Sequence, residues 1–497
     1  MSAFDTFQST QAERCDPWLH HLLTQTEWSA MAETLAGKAV RLLALWAEAD
    51  QVHALLLDEV EEAAAVVSCP VESGGYPSVS AAWPGAILFE RMVADLWGHR
   101  ALGGGDDRPW LDHGHWPMSH PLADRPGMAV AKAEPPEFRL DVGYGEFQLP
   151  VGPVRELIED ADHLRLTLRA DRIVQAECRL GYTHKGTQSL MLGKSPRTAA
   201  RFASRLVGDA TVAHSIAFAE AAEAALRVEV PPRARILRVI MAEIERIAGH
   251  LLALGTTAGL VGVSAIERRC ARLREVLATT SERAFGHRLM MDCVVPGGVA
   301  IDIAAEAPEV LREMLDIIDA ALPNLGQGHS HSAFAARLSG VGVVDPTLAA
   351  RLAVGGIVGR SAGVPFDVRR LSSMYRGILG EVPLATTGDA LARCRLRRTE
   401  IAESARMLAA LIEALPDGPF AAAMPMDSGE GVGNAESARG DVWCWLRLDH
   451  GQIVGVFPRD PGWALWKLAE TTLVGASIDD APLIRHSLGL SASGMDL

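Results

Sequence analysis

The apolar row Leu237, Ile240, Ile244, Ile247, Leu251 and Leu254 constrains this chain most. Its three- and four-residue steps fit one face of an α-helix and no strand, and Pro231-Pro232 marks where that helix starts. Residues 197–226 and 265–288 carry the same period, so three long helices are expected to stack in a bundle. A second row, Glu243, Arg246 and His250, borders the apolar face at i, i+3 and i+7. Two readings stay open for it. One is a solvated ion-pair edge, worth about a few tenths of a kcal/mol per pair. The other is a buried charged row in a proton or coupling path.

Before Lys185 the period is that of strands. Residues 1–125 read as a small α/β domain, with strands at 40–46, 52–57 and 64–69 and a helix at 84–97 that ends at Gly98. Residues 126–140 read as a linker, at the end of a proline-rich stretch. Residues 147–149, 164–168 and 173–178 then alternate apolar and polar as in an antiparallel sheet, with a turn at 170–172. The remainder, within a unit of 141–497, adds helices at 307–322 and 389–415 and a hairpin through Asp449-His450-Gly451. A last helix is expected at 461–473. Gly429 to Gly433 is expected to be a hairpin turn or loop, since no Gly-Lys-Ser/Thr follows to make it a phosphate cradle.

The balance of 47 basic against 62 acidic residues excludes non-specific nucleic-acid binding, because phosphate contacts need a basic face. The first ten residues are polar, so no secretion signal is expected. No apolar run is long enough to cross a bilayer, and the stretch 348–358 carries Arg351. Any membrane role is expected to run through partner subunits, with the chain cytoplasmic. The seven cysteines are scattered without a C-x-x-C pair, so buried reduced thiols are expected rather than a metal or iron–sulfur site of their own. His113-Gly-His115 has metal-like spacing but no further ligands. No dinucleotide fingerprint is present.

Several motifs resemble a known family. They are Leu149-Pro-Val-Gly-Pro153, Leu180-Gly-Tyr-Thr-His-Lys-Gly186 and Glu243-Ile-Glu-Arg-Ile-Ala-Gly-His250, followed by Pro296-Gly-Gly-Val299, Ser361-Ala-Gly-Val-Pro365 with Asp367 and Arg369, and the segment from Glu436 to Asp441. In order and spacing they resemble the large subunit of energy-converting nickel–iron hydrogenases and its relative, the quinone-site subunit of respiratory complex I. Phe89-Glu-Arg91, Asp95, Gly98 and Trp116-Pro117 resemble the smaller α/β subunit of complex I. A fusion of the two is the arrangement of formate hydrogenlyase large subunits. The implied fold is an α/β domain followed by an α+β, hydrogenase-large-subunit-like domain. It combines a long-helix bundle with small antiparallel sheets.

The departures matter as much. The family's nickel–iron centre takes four thiolates, and the resemblance places Val207 and Ala210 at the first pair and Ser491 and Gly494 at the second. No nickel–iron centre is therefore expected. Of the quinone-site residues, the histidine position falls nearest Arg155, the tyrosine at Gly208 and the aspartate at Leu260, so none is kept. The residues left as cavity candidates are His214, Asp367, Arg369 and His184, with His163 and Lys185 in the surrounding frame. Glu243, Arg246 and His250 remain for coupling. If the family geometry persists, the C-terminal tail should pack against residues 204–214. The resemblance implies an oxidoreductase subunit that pairs with a small iron–sulfur protein and with proton-pumping-type membrane subunits. Quinone is a possible acceptor, and NAD(P)H or ferredoxin would donate electrons elsewhere in the complex. The competing expectation is a catalytically silent scaffold. A genuine hydrogenase is the third.

Overall fold

The computed structural model describes all residues except 1–3, 5–6, 8–9, 36–38, 129–137, 139–140, 155–159 and 331, and the side chains of 326–330 and 332–333. Arg155 and most of the expected linker lie outside the described residues.

The N-terminal part is a five-stranded sheet in the order Gln11–Cys15, Trp18–Leu22, Ala63–Pro70, Gln51–Asp58, Val40–Ala47. It is antiparallel except between Trp18–Leu22 and Ala63–Pro70. The strands at 40–47, 51–58 and 63–70 follow the sequence expectation. The two short strands at 11–15 and 18–22 carry no clear alternation and were not legible. Helix Ala86–Trp97 covers the sheet and stops at Gly98, whose φ of 77° is the left-handed conformation that glycine adopts most readily.

This sheet does not stand apart. Trp46 stacks at 5.6 Å on Phe457 and lies 5.1 Å from Trp445, and Phe89 stacks at 4.3 Å on Trp463. The Asp16 backbone bonds both Glu430 and Val432 at 3.0 and 2.9 Å. One apolar core therefore runs from the first strands to the last helix.

A three-stranded antiparallel sheet follows, Glu146–Val151, His163–Arg169 and Arg172–Arg179, turning at Ala170-Asp171. The helix bundle comprises Thr211–Leu226, Pro232–Leu260, Ser264–Phe285, Ala307–Ser330 and Ala390–Glu413. The six residues of the apolar row on Pro232–Leu260 are all buried.

Three expectations need correction. Residues 197–226 do not form one helix: Pro196–Ala203 ends, residues 204–210 turn, and Thr211–Leu226 begins anew. The break is fixed by side chains from elsewhere. Ser204 and Arg205 bind Asp292 at 2.8 and 2.6 Å, while the Glu245 carboxyl receives the first free amides of the next helix. Helix Ala307–Ser330 runs past the expected end at 322, with Pro323 inside it.

The third correction is the glycine segment, which is a strand, Gly429–Glu436, in a sheet with Asp441–Asp449 and Gln452–Arg459. Its alternating glycines lie against the backbone of Thr211–Leu226. A Cβ at Gly429, Gly431 or Gly433 would sit 2.1–2.3 Å from the carbonyl oxygens of Ala225, Ala221 and Ala217. The glycines serve close helix–strand packing, and alanines at four-residue steps face them. Composition alone reads as a loop because glycine is depleted in ordinary strands.

Candidate functional site

Two groups of polar residues sit at the heart of the larger part, one sealed and one open. The sealed group joins Pro232–Leu260 to Ala390–Glu413 and to the loop before Arg370. Glu243 receives hydrogen bonds from Tyr375 at 2.7 Å, Arg369 at 3.2 Å and Arg246 at 3.3 Å, and from Ser404. Arg246 also binds Glu400, and His250 Nε2 lies 3.1 Å from the same carboxylate. Arg360 bridges Glu400 and Glu436 at 3.0 Å each, and Asp367 pairs with Arg369 at 2.7 Å. Every member is buried. The row of Glu243, Arg246 and His250 is thus not a solvated edge, because its face is covered by the helix that carries Glu400 and Ser404.

The electrostatics follow from burial and pairing. Burial opposes ionisation of Glu400, but Arg360 and Arg246 outweigh it and hold its pKa well below the carboxylate range. Asp367 is held low in the same way, against burial, by Arg369 and Arg360. Burial pushes His250 down to about 4, so it is neutral at pH 7. Glu436 is shifted upward by burial and then by Asp367. Three arginines therefore face three ionised carboxylates and one carboxyl inclined to keep its proton, which leaves the cluster close to neutral.

The open group lines a cleft of about 640 Å³. One wall is the broken segment with Val207, Gly208 and Asp209; the other is the tail with Leu490 to Ser493. The tail faces the 204–214 segment across this cleft. Asp160 holds it, accepting from the hydroxyls of Ser491 and Ser493 and from the amides of Ala492 and Ser493 at 3.0 and 3.2 Å. Arg485 binds Asp162 at 2.9 Å, and Lys185 reaches the Ser493 carbonyl at 3.0 Å. Asp460 joins the two sides from behind. His214 Nε2 lies 3.1 Å from it, Arg439 grips it at 2.9 and 3.1 Å, and a Cβ on Gly494 would meet it at 2.5 Å. Burial works against the Asp460 charge, but Arg439 and His214 hold its pKa low.

The turn at 437–440 links the two groups. Arg246 and Arg397 hold the carbonyls of Ser437 and Ala438, and Arg439 reaches Asp460 and, at 3.4 Å, Asp209. Gly249 permits this approach, since a Cβ there would lie 2.5 Å from the Ala438 methyl.

The structure sorts the candidate residues accordingly. Asp367 and Arg369 join Glu243, Arg246 and His250 in the sealed network. Val207 and Ser491 line the open cleft, while Ala210 and His214 lie buried behind it. His184 belongs elsewhere: its Nδ1 lies 2.6 Å from the Asp496 carbonyl and its ring stacks on Trp116 at 4.8 Å, beside a second groove. His163 faces Tyr182, and His113 packs edge-on against the same ring. Glu400, Arg360, Asp160 and Asp460 are central and were not singled out from sequence. Asp460 alone gave a signal, an aspartate just before the proline that precedes helix Gly462–Thr472; it accepts from the Gly462 amide at 2.8 Å. A further helix, Ala481–Leu488, follows where 461–473 was expected to be the last.

Comparison with known proteins fits this frame. Residues 185–260 match the nickel-dependent hydrogenase family, and residues 261–427 match the respiratory-chain NADH dehydrogenase 49 kDa subunit family. NADH-quinone oxidoreductase subunit 4 of Thermus thermophilus is 30% identical over 290 residues, which cover 57% of this chain and 70% of that protein. The chain belongs to this family of respiratory-chain NADH dehydrogenase and nickel-dependent hydrogenase subunits. Formate hydrogenlyase subunit 5 of Escherichia coli is 28% identical over 438 residues, 83% of this chain and 75% of the relative. Among solved structures, a chain of the membrane-bound sulfane sulfur reductase, an archaeal respiratory membrane complex, superposes with a TM-score of 0.67 at 25% identity. That match covers 72% of this chain and all of the other.

The family brings nickel–iron chemistry into question, and the donor set answers poorly to it. Nickel in such a centre takes soft thiolates. The cleft offers carboxylates, hydroxyls, the His486 imidazole, the Arg485 guanidinium and the donor-free side chain of Val207, and among the described residues no cysteine lines it. All seven cysteines are buried. Burial pushes Cys69 and Cys270 up to about 12 and Cys293 and Cys394 up to about 11, the opposite of a metal-binding thiol. The residues present do not fit the group.

Proposed function

We propose that this chain is the large subunit of a membrane-associated, complex I-like oxidoreductase that works without a nickel–iron centre of its own. A partner iron–sulfur subunit of the small hydrogenase type would deliver electrons to the 640 Å³ cleft, where a quinone or a related acceptor is reduced. The observation that carries this reading is the convergence of tail and broken helix on a cleft that keeps polar, proton-bearing groups in place of thiolates. Residues 1–125 act as a domain like the smaller α/β subunit of complex I. Residues 126–140 are the connection, and 141–497 act as the hydrogenase-large-subunit-like domain. Among the described residues no helix is long and apolar enough to cross a membrane. Attachment to the inner face of the cell membrane would therefore go through proton-pumping-type partners, with this chain on the cytoplasmic side.

In this reading the chain's own residues position and neutralise. Arg439 fixes Asp209 and Asp460 at the cleft wall, and Asp160 keeps the tail closed over it. Glu243, Arg246 and His250, with Asp367 and Arg369, form the rigid charged core that couples the cleft to neighbouring subunits. A second reading, a catalytically silent scaffold, is favoured by one observation: Asp160 already spends its acceptors on the tail.

Elemental analysis and EPR of the intact complex isolated through this chain test the proposal. It expects no nickel and a reducible iron–sulfur signal from a co-purifying small subunit, together with reduction of an added quinone. Nickel at one per chain would overturn it in favour of a hydrogenase. A cluster signal with no acceptor reduced would leave the scaffold.

A further inference from the structure

A second, smaller cleft of about 240 Å³ lies on the other side of the 208–209 segment. Its walls are mostly apolar, from Ile244, Leu252, Leu277 and Met290, but five polar groups interrupt them: Asp209, Glu245, Arg274, Ser281 and Arg288. Gly208, Asp209 and Leu252 line both clefts, so this short segment is a partition between them.

Glu245 is the group that stands out. It projects from Pro232–Leu260 and caps a helix that is not its own, accepting from the amides of Val212 and Ala213 at 2.6 and 3.0 Å. Two amide bonds and a helix N-terminus favour the ionised form. Burial opposes them and prevails, with Asp209 adding to it, and Glu245 is pushed up to about 8. At neutral pH it carries a proton. The other groups that bear on it are Arg439 behind the partition and Arg274 and Arg288 across the small cleft.

The small cleft also has a reason to hold water. Ser281 is 1% exposed, and its hydroxyl has no hydrogen-bond partner among the described residues; the same is true of Arg274 Nε. Buried polar atoms left unpaired are normally satisfied by water. At about 30 Å³ per molecule, the space has room for roughly eight waters.

We infer that Glu245 and Asp209 form a proton relay through the partition, exchanging protons between water in the small cleft and the large cleft. The O–H bond of Glu245 breaks as one forms on a water of the small cleft, and that water releases a proton to the Asp209 carboxylate, which lines the same cleft. Asp209 then passes the proton into the large cleft, and water in the small cleft reprotonates Glu245. Net charge is conserved at each transfer. The relay's use in turnover rests on the reading of the large cleft as the reaction site; its existence as an exchange path does not.

The test is infrared difference spectroscopy on the intact complex, with pH as the variable and Glu245→Gln as the reference. The amide keeps one acceptor oxygen where Glu245 offers two to the Val212 and Ala213 amides, and it cannot exchange a carboxyl proton. A protonated-carboxyl band lost as pH rises through about 8 and absent in the variant is expected. Asp209→Asn should shift that midpoint down, because a neighbouring negative charge is gone. Ala278→Trp, which plugs the small cleft, should slow hydrogen–deuterium exchange of the band at least tenfold. A band that persists in Glu245→Gln, a midpoint unmoved by Asp209→Asn, or exchange indifferent to the plug overturns the relay. Acceptor reduction should fall severalfold in Glu245→Gln while reduction of the partner's cluster is unchanged, and equal turnover overturns the relay's role. If no acceptor is reduced by the unaltered complex, the proposed function fails while the spectroscopic arms still decide the relay.

Discussion

The sealed network and the open cleft are built from the same residue types and do opposite things with them. In the network each carboxylate meets an arginine, and the helices of Glu243 and Glu400 are clamped together. In the cleft Asp160 is held by hydroxyls and amides, while Arg485, Arg439 and Lys185 bring positive charge to the aspartates around it. Pairing by full charges makes a rigid, costly-to-break core. Pairing by neutral donors makes a closure that can be undone at modest expense. The first arrangement thus fixes the helices in place, while the second holds a segment that can be released.

The contrast can be broken most sharply at Glu400. Glu400→Ala leaves Arg246 and Arg360 buried without their main counter-charge, and a loss of about 3–5 kcal/mol in unfolding free energy is expected from denaturant titration. A loss below about 1 kcal/mol would mean that the network relaxes as easily as the cleft.

The next effect is a pH dependence. The folded-state pKa of His250 is about 4, below the ordinary value near 6.5. Between these values the unfolded chain binds a proton that the folded chain refuses, so this group's stabilisation is lost as pH falls through that window. Glu436, shifted upward, works in the opposite sense: its contribution is lost as pH rises above the ordinary carboxyl value. The difference between stability curves of the wild type and His250→Gln isolates the histidine. That difference should shift by up to about 3 kcal/mol in favour of the variant between pH 7 and pH 4.

The smallest effect belongs to the cleft. Asp160→Asn keeps one acceptor and loses the charge, so global stability should drop by no more than about 1 kcal/mol. Amide hydrogen exchange in residues 490–497 should nevertheless rise at least tenfold. A large global loss would show that the tail is as integral as the network.

Much of the frame was legible because periodicity reports burial. The row from Leu237 to Leu254, the sheet around residues 164–178 and the hairpin at His450-Gly451 follow from pattern alone. The break at 204–210 was missed because the stretch around it is Ala-rich, although Gly208-Asp209 is a local breaker signal; Asp292 and Glu245 from distant segments fix the interruption. The glycine strand was hidden for a similar reason: its glycines answer to alanines two hundred residues earlier. In the site, sequence offered Glu243, Arg246 and His250 but could not decide between water and burial. That choice is made by Glu400, which lies in an ordinary-looking charged helix. Motif spacing also grouped His184 with His214, although they face different clefts.

The stacking of Trp46 on Phe457 and its closeness to Trp445 has a consequence for how the chain comes into being. These partners are separated by about four hundred residues of translation. At roughly 5–20 residues per second, the first sheet waits on the order of 20–80 seconds before its cover leaves the ribosome. Throughout that interval an indole meant for the interior faces solvent. Early strands that must be shielded while they wait make this a natural client for chaperones, and a protein whose yield should depend on the pace of its own synthesis.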